Sequence, residues 1–224
     1  MAAPPSLNIT FDKAALKIGE TAKVTFTFSA APTGFTASDV SVTNGTFSGF
    51  AATGNPLVYE AVFTPTQGAS GSATVSVAAG SYADTLGNSG LAGTSPAIAI
   101  DTAVPTVSIS SSHATVHADE TANITFTFSE APVDFDLGDV SVTGGTLGVL
   151  LPTGNPLVYT TSFTPTAGVA SGSATISITN GSYTDAAGNS GVGGASPPLS
   201  IQTVRPAATI TVADTALKIG ETSL

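Results

Sequence analysis

The sequence repeats itself at a spacing of 100 residues, and the spacing becomes 101 after one insertion near Val169. The segment TFTFS at 25–29 recurs at 125–129, and the segment TGNPLVY at 53–59 recurs at 153–159. Self-similarity at a fixed long period is typical of chains built from units in tandem, and about 100 residues is enough for one domain with its own core. The repeat therefore predicts two similar domains in series.

A third copy begins near the end of the chain, because residues 216–222 (ALKIGET) reproduce residues 15–21. We therefore expect this polypeptide to be a piece of a longer tandem array. The predicted domains are repeat 1 at residues 1–105, repeat 2 at 106–206 and the truncated start of a third repeat at 207–224.

Composition favours an all-β fold within each repeat. Charged residues make up only 9% of the chain, while Gly and Pro number 24 and 14, so the residues that favour helices are scarce apart from Ala. Short alternating runs separated by turn residues predict an immunoglobulin-like Greek-key β-sandwich. In repeat 1 the strands are predicted near 7–11, 22–29, 38–43, 46–50, 57–64, 72–79 and 96–101.

Alternation of apolar and polar residues indicates which side chains form the core. Val24, Phe26 and Phe28 are expected to point inward while the threonines between them face water, and the same phase recurs 100 residues later. Asn44-Gly45 and Gly144-Gly145 occupy matching positions and can adopt positive φ, which predicts a tight hairpin at each.

Charge and residue inventory exclude several classes of function. The net charge is −10, from 15 acidic and five basic residues, so a phosphate backbone or an anionic membrane surface would be repelled. We therefore expect no nucleic-acid partner. We also expect no membrane insertion, since no apolar run approaches the roughly 18 residues of a membrane span.

Cysteine is absent, which excludes disulfides and thiolate metal sites. Residues 1–5 do not resemble an export signal, so such a signal is expected outside this piece.

Further motifs fall in a fixed order in both copies. After TFTFS and DVSVT come Tyr-x-x-x-Phe-Thr-Pro-Thr at 59–66 and 159–166, then Asp-x-x-Gly-Asn at 84–88 and 185–189; Ile-Asp-Thr-x-x-Pro links the copies at 100–105. This order resembles the bacterial Ig-like repeats of large surface and biofilm adhesins of the RTX and Bap type, and the resemblance covers nearly the whole chain.

The resemblance implies an extracellular location on a bacterial cell surface and a non-enzymatic role. Repeats of this family commonly act as stalks that hold a terminal adhesive domain away from the cell, and several related arrays are stiffened by Ca²⁺. The implied partners are neighbouring repeats of the same chain and, through the full-length protein, other cells or surfaces.

Acidic residues concentrate where repeat 2 should face repeat 1. In this type of sandwich the B–C and F–G loops and the incoming linker meet at one end of the domain, and Ca²⁺ takes six to eight oxygen ligands. Repeat 1 offers a contrast, because Ala30, Gly34 and Thr36 stand where repeat 2 has three acids, and Gln202 stands where the first linker has Asp101. The residues predicted to surround a Ca²⁺ ion are Asp101, Glu130, Asp134, Asp136, Asp185 and Asn189. The alternative is that these acids only solubilise the surface, and that the Asp-x-x-Gly-Asn segments are ordinary turns.

Catalytic interpretations find little support in the sequence. His113 and His117 match no zinc-ligand spacing, and no Gly-x-Ser-x-Gly nucleophile elbow occurs. Paired carboxylates of the glycosidase kind would have to come from one loop, Glu130 to Asp136, that repeat 1 does not share. We therefore expect no enzymatic activity.

Three functions remain open at this point. The first is a structural spacer that extends an adhesive domain from the cell and supports adhesion or biofilm formation. The second is an adhesin module that recognises glycan or protein through its loops, in which case the divergent loop from Glu130 to Gly138 is the place to look. The third is a self-associating surface or filament protein, in which the strand copied near 207–224 pairs with repeat 2 or with another molecule.

Overall fold

The computed structural model describes residues 3–211 and residue 219, and this part of the chain is all-β with two short 3₁₀ turns at Ala37–Asp39 and Leu137–Asp139. Repeat 1 contains β1 (Leu7–Phe11), β2 (Ala15–Lys17), β3 (Ala22–Phe28), β4 (Val40–Val42), β5 (Gly45–Ala52), β6 (Val58–Pro65), β7 (Ser70–Ala73), β8 (Val75–Val77), β9 (Gly93–Thr94) and β10 (Ile98–Asp101). Repeat 2 contains β11 (Val107–Ser111), β12 (Thr115–His117), β13 (Ala122–Phe128), β14 (Val140–Thr143), β15 (Gly145–Leu147), β16 (Leu151–Pro152), β17 (Val158–Pro165), β18 (Gly172–Ile178), β19 (Gly194–Ala195) and β20 (Leu199–Gln202).

Each repeat is a two-layer sandwich. In repeat 1 one layer has the order β1-β3-β6-β5, and the other is made of β2-β10-β7 and β4-β8-β9. Repeat 2 has the matching layers β11-β13-β17-β15, with β16 also on β17, and β12-β20-β18-β14, with β19 also on β18. Both layers are antiparallel except that β2 runs parallel to β10 and β12 runs parallel to β20. The predicted immunoglobulin-like class is confirmed.

The core lies between the two layers, and the alternation predicted for it is confirmed. Val24, Phe26 and Phe28 are buried, as are the large rings of Phe63 and Phe163. Fully burying one such side chain contributes about 1.5–3 kcal/mol. Because the same positions are apolar in both copies, the two repeats have separate but matching cores.

The hairpin predicted at Asn44-Gly45 and Gly144-Gly145 is wrong, although the positive φ is confirmed. Asn44 has φ 51° and Gly144 has φ 73°. β4 pairs with β8, whereas β5 pairs with β6 in the opposite layer. The turn therefore carries the chain across the edge of the core from one layer to the other. Local sequence could not distinguish these outcomes, since residues able to adopt positive φ suit either kind of turn.

The predicted strands of repeat 1 also need correction. The strand expected at 72–79 is two strands, β7 and β8, which pair with different neighbours. Strand β2 was not predicted, because three residues are too few to show an alternation and because its partner β10 lies more than 80 residues away in sequence. The strand proposed for the third repeat falls largely on residues 212–218 and 220–224, which are outside the described part of the chain.

Among the residues that the structure describes, no helix is both long enough and apolar enough to cross a membrane.

Candidate functional site

The linker between the repeats is anchored to both domains. The Thr102 hydroxyl donates to the carbonyl oxygen of Thr66 at 2.6 Å and accepts from the amide of Ala69 at 3.0 Å, which fixes the start of the linker to repeat 1. At its other end the carbonyl of Pro105 accepts from the hydroxyl of Tyr183 at 3.2 Å and from the amide of Val192 at 2.8 Å. Only Ala103 and Val104 lie between these anchors, so the linker has little freedom.

Repeat 1 also contacts repeat 2 directly through a loop that the Asp-x-x-Gly-Asn motif forms at 185–189. The amide of Ile18 donates to Asn189 Oδ1 at 2.9 Å, and Lys17 Nζ donates to the carbonyl of Gly188 at 3.0 Å. Asn189 Nδ2 donates to the carbonyl of Asp101 at 3.0 Å. The end of repeat 1 that carries residues 17–20 is called its lower pole here, and the end of repeat 2 that carries loops 129–136 and 184–190 is called its upper pole.

The 185–189 loop has a defined shape because Asp185 organises it. Asp185 Oδ1 accepts from the amides of Ala187 and Asn189, both at 2.9 Å, and its Oδ2 accepts from Asn189 Nδ2 at 2.8 Å. Gly188 has φ 81°, and a Cβ there would lie 3.2 Å from Lys17 Nζ, so glycine suits both the turn and the close approach of repeat 1. The motif is thus an Asx-type turn, as the alternative interpretation of the sequence held.

Repeat 1 has the same loop at 84–88 on its own upper pole. Asp84 accepts from the amides of Leu86 and Asn88 and from the Asn88 side chain. These hydrogen bonds, that of the Asn88 side chain first, hold the pKa of Asp84 below its ordinary value. Leu86 is 77% exposed there. The loop is therefore a copied structural element, and only its surroundings differ between the repeats.

Three carboxylates converge at the junction. Asp101 from the linker, Glu130 from the B–C loop and Asp185 from the F–G loop offer oxygens that lie within 4.8 Å of one another. Asp185 is buried and the other two are half-buried. Partial burial raises the pKa of Glu130, and the negative charges of Asp101 and Asp185 raise it further. Crowded carboxylates of this kind are the hard oxygen donors that Ca²⁺ prefers.

The other predicted ligands are placed differently. Asp134 has φ 59° and lies on the B–C loop, and Asp136 caps the following 3₁₀ turn by accepting from the amide of Gly138 at Oδ1. Within the described residues, neither belongs to the group of converging carboxylates. Asn189 is adjacent to that group, but its side chain is already hydrogen-bonded to Ile18, Asp101 and Asp185. Its observed role is to join the two domains.

The remaining candidates from the sequence have structural roles. His113 Nδ1 lies 2.8 Å from Ser112 Oγ, and the amide of His117 donates to Glu120. Phe35 and Phe50, whose aromatic rings are of the kind that stack on sugars in glycan-binding modules, pack against Phe26 in the core of repeat 1. The contact of Lys17 and Ile18 with repeat 2 had no signal in the sequence, because an interdomain contact of this kind leaves no local pattern.

The fold and the junction together define two immunoglobulin-like domains joined in series. The chain belongs to the bacterial Ig-like domain family, whose model matches residues 2–100 and 101–201. No curated protein is similar enough in sequence to match it.

Several solved structures are similar in fold. The adhesin FdeC of Escherichia coli is 16% identical with a TM-score of 0.46, and the match covers 89% of this chain and 64% of that one. InvD of Yersinia pseudotuberculosis is 16% identical with a TM-score of 0.36 and coverages of 94% and 64%. The adhesin InvE of the same species is 13% identical with a TM-score of 0.34 and coverages of 92% and 65%. The chain thus spans slightly less than two thirds of each of these structures.

Proposed function

We propose that the two domains are spacer repeats of a large bacterial surface adhesin, which extend an adhesive domain from the cell. The observation that carries the proposal is the doubly anchored linker, reinforced by the hydrogen bonds from Lys17 and Ile18 to the 185–189 loop. Strands of five to eight residues at roughly 3.3 Å per residue, with their loops, give about 35–45 Å of reach per domain. A spacer needs such length and a limited range of interdomain angles.

Asn189 tests the interdomain part of the proposal, and Asn88 is its matched control. Each side chain donates a hydrogen bond to the aspartate of its own Asp-x-x-Gly-Asn loop. Only Asn189 is also hydrogen-bonded to the other domain. We expect Asn189→Ala to broaden the distribution of interdomain angles, measured by small-angle X-ray scattering and residual dipolar couplings, and Asn88→Ala to leave it unchanged. Independent tumbling of the two domains in the unaltered chain would contradict a stiff spacer.

The spacer role itself is tested in the full-length adhesin on living cells. Replacing residues 1–206 with two unrelated Ig-like domains of equal length should preserve adhesion, because a spacer contributes reach and no recognition. Deleting the same residues should reduce adhesion to distant surfaces. Loss of adhesion on replacement would favour the alternative of a ligand-binding module.

We further propose that Ca²⁺ binds at the junction through Asp101, Glu130 and Asp185. The support is the convergence of the three carboxylates. The pKa of Glu130 is raised first by burial and then by the charges of Asp101 and Asp185, and a cation would offset those charges. Bound Ca²⁺ would bridge the linker and two loops of repeat 2, and it would thereby restrict the angle between the repeats. The corresponding pole of repeat 1 keeps only Asp84 of this set.

Calorimetry and thermal melting test the calcium proposal. A ligand that binds only the folded state at 100 times its Kd adds about 2.7 kcal/mol of stability, so we expect EDTA to lower Tm and Glu130→Gln to weaken Ca²⁺ binding. Asp136→Asn is the control, since this acid lies on the same loop and outside the carboxylate group. Equal Ca²⁺ binding by all three proteins, or none by any of them, would contradict the proposal.

A further inference from the structure

The aromatic cores of the two repeats have the same framework. The ring centroids of Phe35 and Tyr59 are 5.3 Å apart at 84°, and those of Phe135 and Tyr159 are 5.4 Å apart at 80°. The centroid distances from these rings to the neighbouring strand agree as closely. Phe26 and Phe35 are 5.6 Å apart in repeat 1, and Phe126 and Phe135 are 5.5 Å apart in repeat 2. The walls around this part of the core are therefore conserved between the two domains.

Repeat 1 fills the space beside these walls with an additional ring. Phe50 stacks on Tyr59 with centroids 5.4 Å apart and planes at 21°, and it meets Phe35 edge-on at 5.2 Å. Phe47 packs beside it at 5.8 Å. With Phe50 in place, only 7% of Phe35 is exposed.

Repeat 2 lacks both additional rings. Leu147 and Leu150 replace them. The edge strand that forms the single, bulged strand β5 in repeat 1 is divided into β15 and β16 in repeat 2, with a proline at 152. The counterpart of the covered Phe35, Phe135, is only half-buried. A pocket of about 500 Å³ opens here, lined by Phe135, Asp136, Leu137, Leu150, Pro152 and Tyr159.

Negative charge lies on one side of the same pocket. Asp136 lines it, and Asp134 and Asp139 lie on the same segment of chain. In repeat 1 the positions of Asp134 and Asp136 are Gly34 and Thr36. Repeat 2 as a whole has seven acidic residues and one arginine between 106 and 206, a net charge of −6. The domain that lost two rings thus gained carboxylates at the edge of the space they left.

We propose that this pocket binds an aromatic side chain of a partner protein that carries a lysine or arginine next to it. Tyr159 and Phe135 present to the ring the stacked and edge-on contacts that Phe50 makes in repeat 1. The carboxylate of Asp136 attracts the neighbouring positive charge. Val149 and Leu151, the sequence neighbours of Leu150, are both more than half exposed. This inference does not rest on the spacer role, since it concerns one side of one domain.

Short peptides supply the probes, with binding followed by NMR on the methyl groups of Leu137 and Leu150 in the intact chain. Acetyl-Lys-Phe-Lys-amide should shift these signals with saturation. Replacing its phenylalanine with alanine should weaken binding about tenfold or more, because the buried area of a phenyl ring is lost. Acetyl-Glu-Phe-Glu-amide should bind more weakly than the lysine peptide, and Asp136→Asn should reduce that difference. Phenethylamine binding as tightly as the peptide would overturn the assignment to a protein segment.

Two variants should close the pocket by restoring side chains of repeat 1. Leu150→Phe restores the ring, and replacing residues 147–152 with FSGFAA, the sequence of residues 47–52, restores the whole edge strand. Either variant, once shown to be folded, should bind the lysine peptide at least about tenfold more weakly. Conversely, Phe50→Leu combined with Phe47→Leu and Thr36→Asp should open a matching pocket in repeat 1. Undiminished binding by the folded variants would overturn the proposal.

Discussion

The upper poles of repeat 1 and repeat 2 have the same backbone elements and different surfaces. Both have an Asp-x-x-Gly-Asn turn and the same set of edge-on rings beneath it. In repeat 2 the turn contacts repeat 1 and three carboxylates meet beside it. A pocket lined in part by Leu150 opens where leucines stand in place of two phenylalanines. The centre of the core is the same in both repeats because packing there tolerates little change, whereas the pole and the edge strand are free to acquire new contacts.

The largest expected effects test whether the two cores are equivalent. Phe63 and Phe163 are fully buried at matching positions, and truncating such a side chain typically costs about 3–5 kcal/mol. We expect Phe63→Ala and Phe163→Ala to destabilise their own domains by similar amounts, measured by denaturant unfolding. If the two losses of stability differ by more than about 2 kcal/mol, the width of that range, the two cores are not energetically equivalent.

The second prediction concerns the buried tyrosines that anchor each domain's entering chain. Tyr82 donates to the carbonyls of Pro5 and Leu91, and Tyr183 donates to those of Pro105 and Val192. The Pro5 and Pro105 carbonyls keep a second donor, the amides of Leu91 and Val192. Each Tyr→Phe change therefore removes hydrogen bonds without leaving these carbonyls unpaired, and it should destabilise its domain by about 0.5–1.5 kcal/mol. Only Tyr183→Phe should also loosen the angle between domains, because Pro105 belongs to the linker. Equal interdomain order in both variants would contradict this role of Tyr183.

The same tyrosines give a prediction at alkaline pH. Burial raises the pKa of Tyr183 to about 12, from an ordinary value of 10.0. The folded state therefore keeps its phenolic proton at a pH where the unfolded chain loses it. We expect the stability of repeat 2 to fall as the pH rises from 10 towards 12, and Tyr183→Phe to remove this contribution. Melting curves across that range provide the measurement.

A smaller effect is expected from Glu130 in calcium-free protein. Its pKa is raised above the ordinary 4.5 by burial and by Asp101 and Asp185. The ionised carboxylate is therefore less favourable in the folded state than in the unfolded chain, and the folded state retains the proton more strongly. The contribution of Glu130 to stability should be greatest below pH 4.5 and decrease as the pH rises through the raised pKa. In EDTA at pH 7, Glu130→Gln should raise Tm slightly, and an unchanged pH profile would contradict the assignment.

The smallest expected effect on stability comes from removing an exposed ion pair of repeat 1 that has no counterpart in repeat 2. Lys23 Nζ lies 2.9 Å from Glu60 Oε1 on the outer face of repeat 1, and the hydrogen bond to Glu60 raises the pKa of Lys23. Asn123 and Thr160 occupy the matching positions. Since water and salt screen such pairs, Lys23→Met should change Tm very little, and 0.5 M salt should abolish the difference. A large effect would mean that this face contributes to stability.

Much of the fold could be predicted from the sequence. The strands at 7–11 and 22–28 and the inward phase of Val24, Phe26 and Phe28 followed from alternation, since alternate side chains of a strand point to one face of a sheet. The layer to which the turn at Asn44 leads could not be predicted from the sequence. Asn44 has the backbone angle expected of a hairpin, yet it connects opposite layers, because that choice depends on which distant strands β4 and β5 pair with.

The candidate site could be predicted in part. That Asp101, Glu130 and Asp185 meet followed from the known ends of a sandwich, which bring the linker and two loops together. Asp134 and Asp136 were grouped with them, but the left-handed backbone at Asp134 and the cap formed by Asp136 place them elsewhere on the loop. The role of Asn189 as a bridge was also not predicted, since its partner in repeat 1 is a backbone amide, and every residue has one.

The sequence alone determined that this protein is a series of β-sandwich repeats, because periodicity, alternation and turn residues act through local geometry that the chain order records directly. Only the tertiary structure decided how the repeats meet and where they differ in three dimensions. Hydrogen bonds between Ile18 and Asn189, the meeting of three carboxylates, and the space left by two missing rings all join residues remote in sequence. Their energies depend on distances that only packing sets.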